Sequence, residues 1–236
     1  LDGKFLIVTN DNSQIANVYD LDTLQQTQSI EFPVGHYARS IAVSGSAILV
    51  ASRWVGPPQG LVAQQPPSCH AIHSVDLGSR TATPTLDRLG IYINCVNLDT
   101  ALAASPSAET IFFAQADGTT LVYRSSNRTF AASRKDFSGL SGAYGAPSDD
   151  RFIVDSNILN RALVQIGKLD VGLGTTSGLV GVDGFALRTA SPTAAGAGTI
   201  ERIELASGQT WRSVRVSESP VVATKGERSF LRTLVP

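Results

Sequence analysis

Apolar residues in this chain come in short runs, each closed by Gly, Pro, Asn, Asp or Ser. Phe5-Leu6-Ile7-Val8, Ala47-Ile48-Leu49-Val50-Ala51, Ile111-Phe112-Phe113-Ala114 and Phe152-Ile153-Val154 are examples. Runs of this length, separated by turn signals every 8–12 residues or so, predict strands of an all-β sandwich, barrel or propeller. No apolar run approaches the roughly 20 residues that a helix needs to span a bilayer.

The spacing of one type of run narrows the choice. Lys4–Thr9, Ala47–Ser52, Thr110–Gln115, Arg151–Asp155, Phe185–Thr189 and Ser229–Leu234 resemble one another. Their starts are about 43, 63, 41, 34 and 44 residues apart, and four of the five lie near the ~40–50-residue period of propeller blades. A unit this small cannot bury its own apolar faces, so copies must stack.

Each unit parses into four strands. In the first, Phe5–Val8 is followed by Ala16–Asp20, a turn at Leu21-Asp22-Thr23, and Thr27–Phe32, after which Ile41-Ala42-Val43 opens the next unit. Asp and Thr suit that turn because their side chains bond nearby backbone groups. Asp76-Leu77-Gly78-Ser79 and Leu205-Ala206-Ser207-Gly208 read as equivalent turns. The fourth unit departs from the pattern, since Gly167–Ser177 leaves little room for an outer strand.

The expected fold is therefore a β-propeller of four-stranded antiparallel blades, with about five blade periods and partial blades at both ends. The chain opens at a second strand, and Val221-Val222-Ala223 with Ser229–Leu234 reads as a first and second strand. Residues 1–236 are expected to form a single propeller domain, or a piece of a longer propeller or multidomain chain. Cut ends also imply an unpaired edge that needs covering.

The phrase Pro33-Val34-Gly35, then Ile41-Ala42-Val43-Ser44, then Leu49-Val50-Ala51-Ser52, resembles the YVTN-type bacterial β-propeller repeat. Asp2-Gly3-Lys4-Phe5-Leu6-Ile7-Val8-Thr9-Asn10 and Val18-Tyr19-Asp20-Leu21-Asp22-Thr23 match two further parts of that repeat. The likeness covers the first two units well and the rest loosely. It implies a propeller related to the WD40 and quinoprotein-like folds, and such propellers often serve as interaction platforms.

In a propeller, loops joining second and third strands, and loops joining one unit to the next, gather around the central channel. Asn10 and Asp11, His36, Tyr37 and Arg39, Arg53 and Trp54, Asp117, Asp155 and Arg188 fall in or beside such loops. They are the candidate ligand-binding residues; the alternative is that they are solvated loop residues. The insertion from Trp54 to Pro67 contains two Pro-Pro pairs and reads as extended, semi-rigid chain. Trp54 reads either as an anchor for a partner or sugar ring, or as a cap on the core.

Composition adds exclusions. Charged residues are 17% of the chain and net charge is −1, so no basic field attracts a nucleic-acid backbone. The 21 Gly and 11 Pro fit a turn-rich β protein. The two cysteines, Cys69 and Cys95, read either as a disulfide made in an oxidising compartment or as two buried free thiols. Asn127-Arg128-Thr129 matches a glycosylation acceptor.

Cys69-His70-Ala71-Ile72-His73 looks like a metal cluster, but on a strand His70 and His73 face opposite sides. Asn10-Asp11-Asn12 and Asp149-Asp150 lack the distal Glu of a calcium loop and read as turns. No metal or cofactor is expected. No nucleophile elbow or phosphate-binding Gly-rich loop is present, and His36 is the one candidate base, near Asp11 or Arg39.

The leading expectation is a non-catalytic binding or scaffold propeller, exported to the periplasm, cell surface or medium, with a protein or carbohydrate partner on the loop face. The alternative is a propeller enzyme of lactonase or quinoprotein-dehydrogenase type. A third reading is a structural domain of a large surface protein.

Overall fold

The computed structural model describes residues 4–10, 12–56, 70–85, 94–97, 99–140, 144–146, 148–168, 175–180, 183–188, 199–204 and 209–215. These residues hold strands joined by turns, and no helix among them. Among the described residues, no helix is long and apolar enough to cross a membrane. The chain divides into two compact units, Leu1–Gly139 and Leu140–Pro236.

The first unit begins with β1 (Phe5–Val8), β2 (Ile15–Asp20) and β3 (Gln26–Glu31). It continues with β4 (His36–Ser44), β5 (Ala47–Trp54), β6 (Ala71–Asp76) and β7 (Thr81–Pro84). These seven form one sheet in the order β1-β2-β3-β7-β6-β5-β4. The join between β3 and β7 is a single parallel pair, Glu31↔Thr81, so the sheet is two antiparallel pieces hinged at one point. β8 (Thr100–Ala104), β9 (Thr110–Gln115), β10 (Thr120–Arg124) and β11 (Thr129–Arg134) form a separate four-stranded sheet in sequential order.

Burial explains why these pieces stack. Ile48–Ser52 of β5 and every residue of β9 are buried, which requires cover on both faces of each strand. One face of β4–β7 supplies Ala38, Ile48, Val50, Val75 and Ala82 to a core shared with Ala16, Val18, Ile30 and Phe32 of the first three strands and the residue after them. The opposite face supplies Ala42, Leu49, Ala51 and Ile72 to a core shared with Leu102, Ile111, Phe113, Leu121, Tyr123 and Phe130. In that second core, Phe130 meets Phe113 and Tyr123 with ring centroids 5.5 Å and 5.4 Å apart, within the favourable range for aromatic pairs.

A β-bulge makes this two-sided packing work. Ala38 pairs with Ser52, but Ser40 pairs with Ala51, so Arg39 is an extra residue in β4. Without it, Ala38 and Ala42 would lie on the same face, because side chains alternate with a period of two. With it, they enter different cores.

The second unit contains two sheets in sequential order. One is β12 (Tyr144–Gly145), β13 (Arg151–Val154), β14 (Asn157–Asn160) and β15 (Gln165–Lys168); the other is β16 (Thr175–Val180), β17 (Asp183–Arg188), β18 (Thr199–Ile203) and β19 (Thr210–Arg215). The fourth period does have its outer strand, β15, contrary to expectation. A two-residue turn with Asp155 at φ 51° joins β13 to β14, and the hairpin from Asn160 is short, so the strand fits earlier than its spacing implied.

The hairpins joining third to fourth strands repeat one design. Asp20 Oδ1 accepts from the N–H groups of Asp22 and Thr23, and Asp76 Oδ1 accepts from those of Gly78 and Ser79. Leu24, Arg80 and Arg128 each adopt a positive φ at the end of such a turn. The expected turn chemistry is thus present at Asp20–Thr23 and Asp76–Ser79, while residues 205–208 lie outside the described residues.

Gly118 in the β9–β10 turn has φ +94°, and a Cβ there would collide with the backbone of Phe137. Gly118→Ala is expected to destabilise the protein by about 2 kcal/mol or more, because both the backbone conformation and the space exclude a side chain. A urea midpoint unchanged from wild type would refute this.

Candidate functional site

The start of β4 and the end of β5 gather most of the candidate residues. His36, Tyr37 and Arg39 lie on β4, and Arg53 and Trp54 lie on β5, rather than in loops beyond the strands. The reason is the length of the β4–β5 hairpin, whose pairing persists to His36↔Trp54. His36 is correspondingly buried, at 6% exposure, and is no solvated loop residue.

His36, Ser52 and Trp54 share the face that packs toward β2 and β3, and the β5–β6 register brings His73 to that face as well. His36 Nδ1 and His73 Nδ1 each lie 3.0 Å from Ser52 Oγ. The Ser52 hydroxyl donates to the Ala71 carbonyl at 3.1 Å. It therefore accepts from both imidazoles, each carrying its proton on Nδ1. The His36 and His73 rings meet edge-on, with centroids 4.8 Å apart, and Phe32 lies 5.5 Å from His73. Trp54 covers His36 at 5.1 Å. Gly35, at φ +82°, lies under the Trp54 ring, and a Cβ there would strike it.

Burial first of all holds both histidines neutral. Desolvation, then the neighbouring His36, pushes His73 down to about 3. Desolvation and His70 lower His36 as well. A serine between two imidazoles has the parts of an activated nucleophile. Here, though, Ser52 is 3% exposed and His73 fully buried, so no substrate reaches the hydroxyl. A base titrating near 3 also takes up protons poorly at neutral pH. The trio fastens β4, β5 and β6 together. Among the described residues, His73 Nε2 has no hydrogen-bond partner although it is buried, and the same holds for Thr110 Oγ1.

The opposite face carries a second polar group. Tyr37 pairs with Arg53, and continuing the β5–β6 register sets Arg53 opposite His70. Arg39, the bulge residue, reaches Asp99 at 3.4 Å. His70 Nδ1 accepts from the Trp54 backbone N–H at 2.7 Å. Desolvation, then Arg53 and Arg39, lower the His70 pKa, while Asp99 opposes them. His70 and His73 do face opposite sides, and no group of three His, Cys, Asp or Glu among the described residues could hold a metal.

The remaining candidates scatter. Asn10 Oδ1 caps a turn by accepting from the Asn12 N–H at 2.9 Å, and Asp11 lies outside the described residues. Asp117 caps the β9–β10 turn through the Thr119 N–H and pairs with Lys135 at 2.8 Å. Asp155 and Arg188 belong to the other unit. Cys95 is exposed, so it is not the buried thiol of the second reading. Cys69, and with it the disulfide, lies outside the described residues.

No family model matches the chain, and no curated protein is similar to it in sequence. A solved structure is similar in fold: a WD40 propeller-type chain from the "Crystal Structure of Mitotic Checkpoint Complex". The TM-score is 0.58 at 12% identity, over 91% of this chain. The chain spans 62% of that neighbour's length. The likeness shows an all-β fold of propeller type, and the neighbour is a component of a protein complex.

Sequence reasoning missed Ser52, His70, His73 and Asp99 as members of these two groups.

Two consequences are measurable. Unfolded imidazoles titrate near 6.5, whereas folded His36 and His73 resist protonation, so the unfolded state binds more protons as pH falls. Stability is full above pH 6.5 and declines below it. Between pH 6.5 and 5, above the main carboxylate range, the loss is expected to be about 1–2 kcal/mol. Urea midpoints at pH 7.5, 6.5 and 5 check this, and a flat profile would sink it. Ser52→Ala strands two buried imidazole N–H donors and is expected to cost about 1–3 kcal/mol at pH 7.5; a smaller shift in the urea transition would show that the trio does not fasten these strands.

Proposed function

We propose that this chain is a non-catalytic binding or scaffold propeller of the YVTN type, exported, that presents its second-to-third-strand loops and adjoining strand ends to a protein or carbohydrate partner. The observation that carries this reading is the burial of the Ser52–histidine trio, which makes the one nucleophile-like constellation among the described residues a structural fastening. The propeller-type neighbour, itself part of a protein complex, supports it. Tyr37, Arg39, Arg53 and Trp54 contribute the contact surface in this reading, with Asn10 and Asp117 on loops of the same unit. His36 acts beneath them by positioning Trp54.

The purified chain, immobilised and exposed to arrayed glycans and proteins of the source organism, is expected to retain a partner. A variant carrying Asn10→Ala and Asp117→Ala, with Trp54→Ala as a separate variant, is expected to lose at least tenfold in affinity. Hydrolysis of lactones, or quinone-dependent oxidation of sugars or alcohols, abolished by His36→Ala while the fold is retained, would replace this reading with the enzymatic one.

A further inference from the structure

Arg53 has no hydrogen-bond or ion-pair partner among the described residues, although it is half-buried. Its neighbours are also donors. Because His70 Nδ1 accepts from the Trp54 N–H, the ring carries its proton on Nε2, and that N–H has no partner among the described residues. Among the described residues Arg39 has one ion-pair partner, Asp99, at 3.4 Å, with side chains 25% and 43% exposed. Tyr37 stands beside Arg53 in the pairing of β4 with β5. His70 feels both guanidiniums and the Asp99 carboxylate, so all four groups share one neighbourhood.

Guanidinium groups of this kind bind planar oxyanions through paired N–H bonds. The count of charge selects among oxyanions. Two arginines offset by Asp99 leave one positive charge, which suits a monoanion and repels a dianion at the Asp99 side. A neutral imidazole N–H adds a donor without adding charge.

We propose that Arg39, Arg53 and His70 form a binding site for a carboxylate group, carried by an acidic side chain of a partner protein or by a small free acid. This inference rests on the binding-module reading and gives that surface its ligand chemistry. On binding, the carboxylate takes the fork of Arg53 and the His70 Nε2–H, and Arg39 turns from Asp99 toward it. Arg and Tyr are also the residues on which protein interfaces tend to concentrate their affinity.

The test uses the whole chain and two probes, acetate and a blocked Gly-Glu-Gly peptide, followed by NMR of arginine side-chain and imidazole resonances. Both probes are expected to give saturable shifts at Arg53 and His70 and to raise the His70 pKa. Arg53→Gln is expected to weaken binding about tenfold or more. Asp99→Asn is expected to tighten it severalfold, a gain that misfolding cannot mimic. Peptide bound tenfold tighter than acetate assigns the site to a partner's side chain, and equal affinities assign it to free acids. Inorganic phosphate binding more tightly than either probe, or unsaturable shifts with both, would overturn the proposal. Unsaturable shifts alongside a retained partner on the loop face would defeat this site alone. Saturable acetate binding with no partner found would defeat the binding-module reading alone.

Discussion

The structure of the first unit depends on strands that are apolar on both faces. A strand such as β5, with Leu49 and Ala51 on one side and Ile48 and Val50 on the other, cannot stop at two layers. Whichever face is covered first, the other still exposes aliphatic surface to water, at a cost of about 25 cal/mol per Å². Stacking sheets face to face removes that surface, and the two cores on either side of β4–β7 are the outcome. The single parallel pair between β3 and β7 contributes little by comparison. Apolar contact between sheets, rather than hydrogen bonding across that join, keeps them together.

This packing sets the terms for the polar residues near it. His36, Ser52 and His73 occupy the end of one inter-sheet core, where charge is costly and an unmade hydrogen bond is costly too. Both costs are avoided if the imidazoles stay neutral and share the one hydroxyl between them. Phe32 and Trp54 then close over the rings. The result is a fastening whose strength depends on pH although no group in it reaches solvent. The half-buried Arg39–Asp99 pair on the opposite face meets at 3.4 Å, a long contact of the kind that adds about 0–1 kcal/mol. One sheet thus carries a closed polar group on one side and an open one on the other.

The fold was legible in the sequence because its signals are local. Apolar runs gave β1, β5, β9, β13 and β17, and Asp-containing turns marked the hairpins after β2 and β6. The outer strand β15 was missed because a tight turn at Asp155 shortened the period, and spacing carries no record of turn geometry. The candidate surface was legible only in part. The sequence places Arg39, Arg53 and Trp54 near one another, and they lie at the neighbouring ends of β4 and β5. His36 reads from sequence as a loop-face ligand residue or a base, and its burial is not legible there because it depends on Phe32 and His73, distant in the chain. His70 was set aside with His73 because parity separates them on a strand, which is correct. Parity alone cannot show that each then joins a different polar group on its own face.

The bulge at Arg39 connects these observations. A regular β4 would direct Ala38 and Ala42 to one side and leave a core incomplete. Inserting one residue restores the alternation, but the inserted residue has no partner in the ladder. A small apolar residue there would bring no charge to the sheet edge. Arg39 instead spans to Asp99 beside β8, next to Arg53 and His70. The irregularity that packing requires is therefore also the one that assembles cationic side chains at the end of the sheet. Removing the bulge would disturb core and surface together, whereas replacing the arginine alone disturbs only the surface.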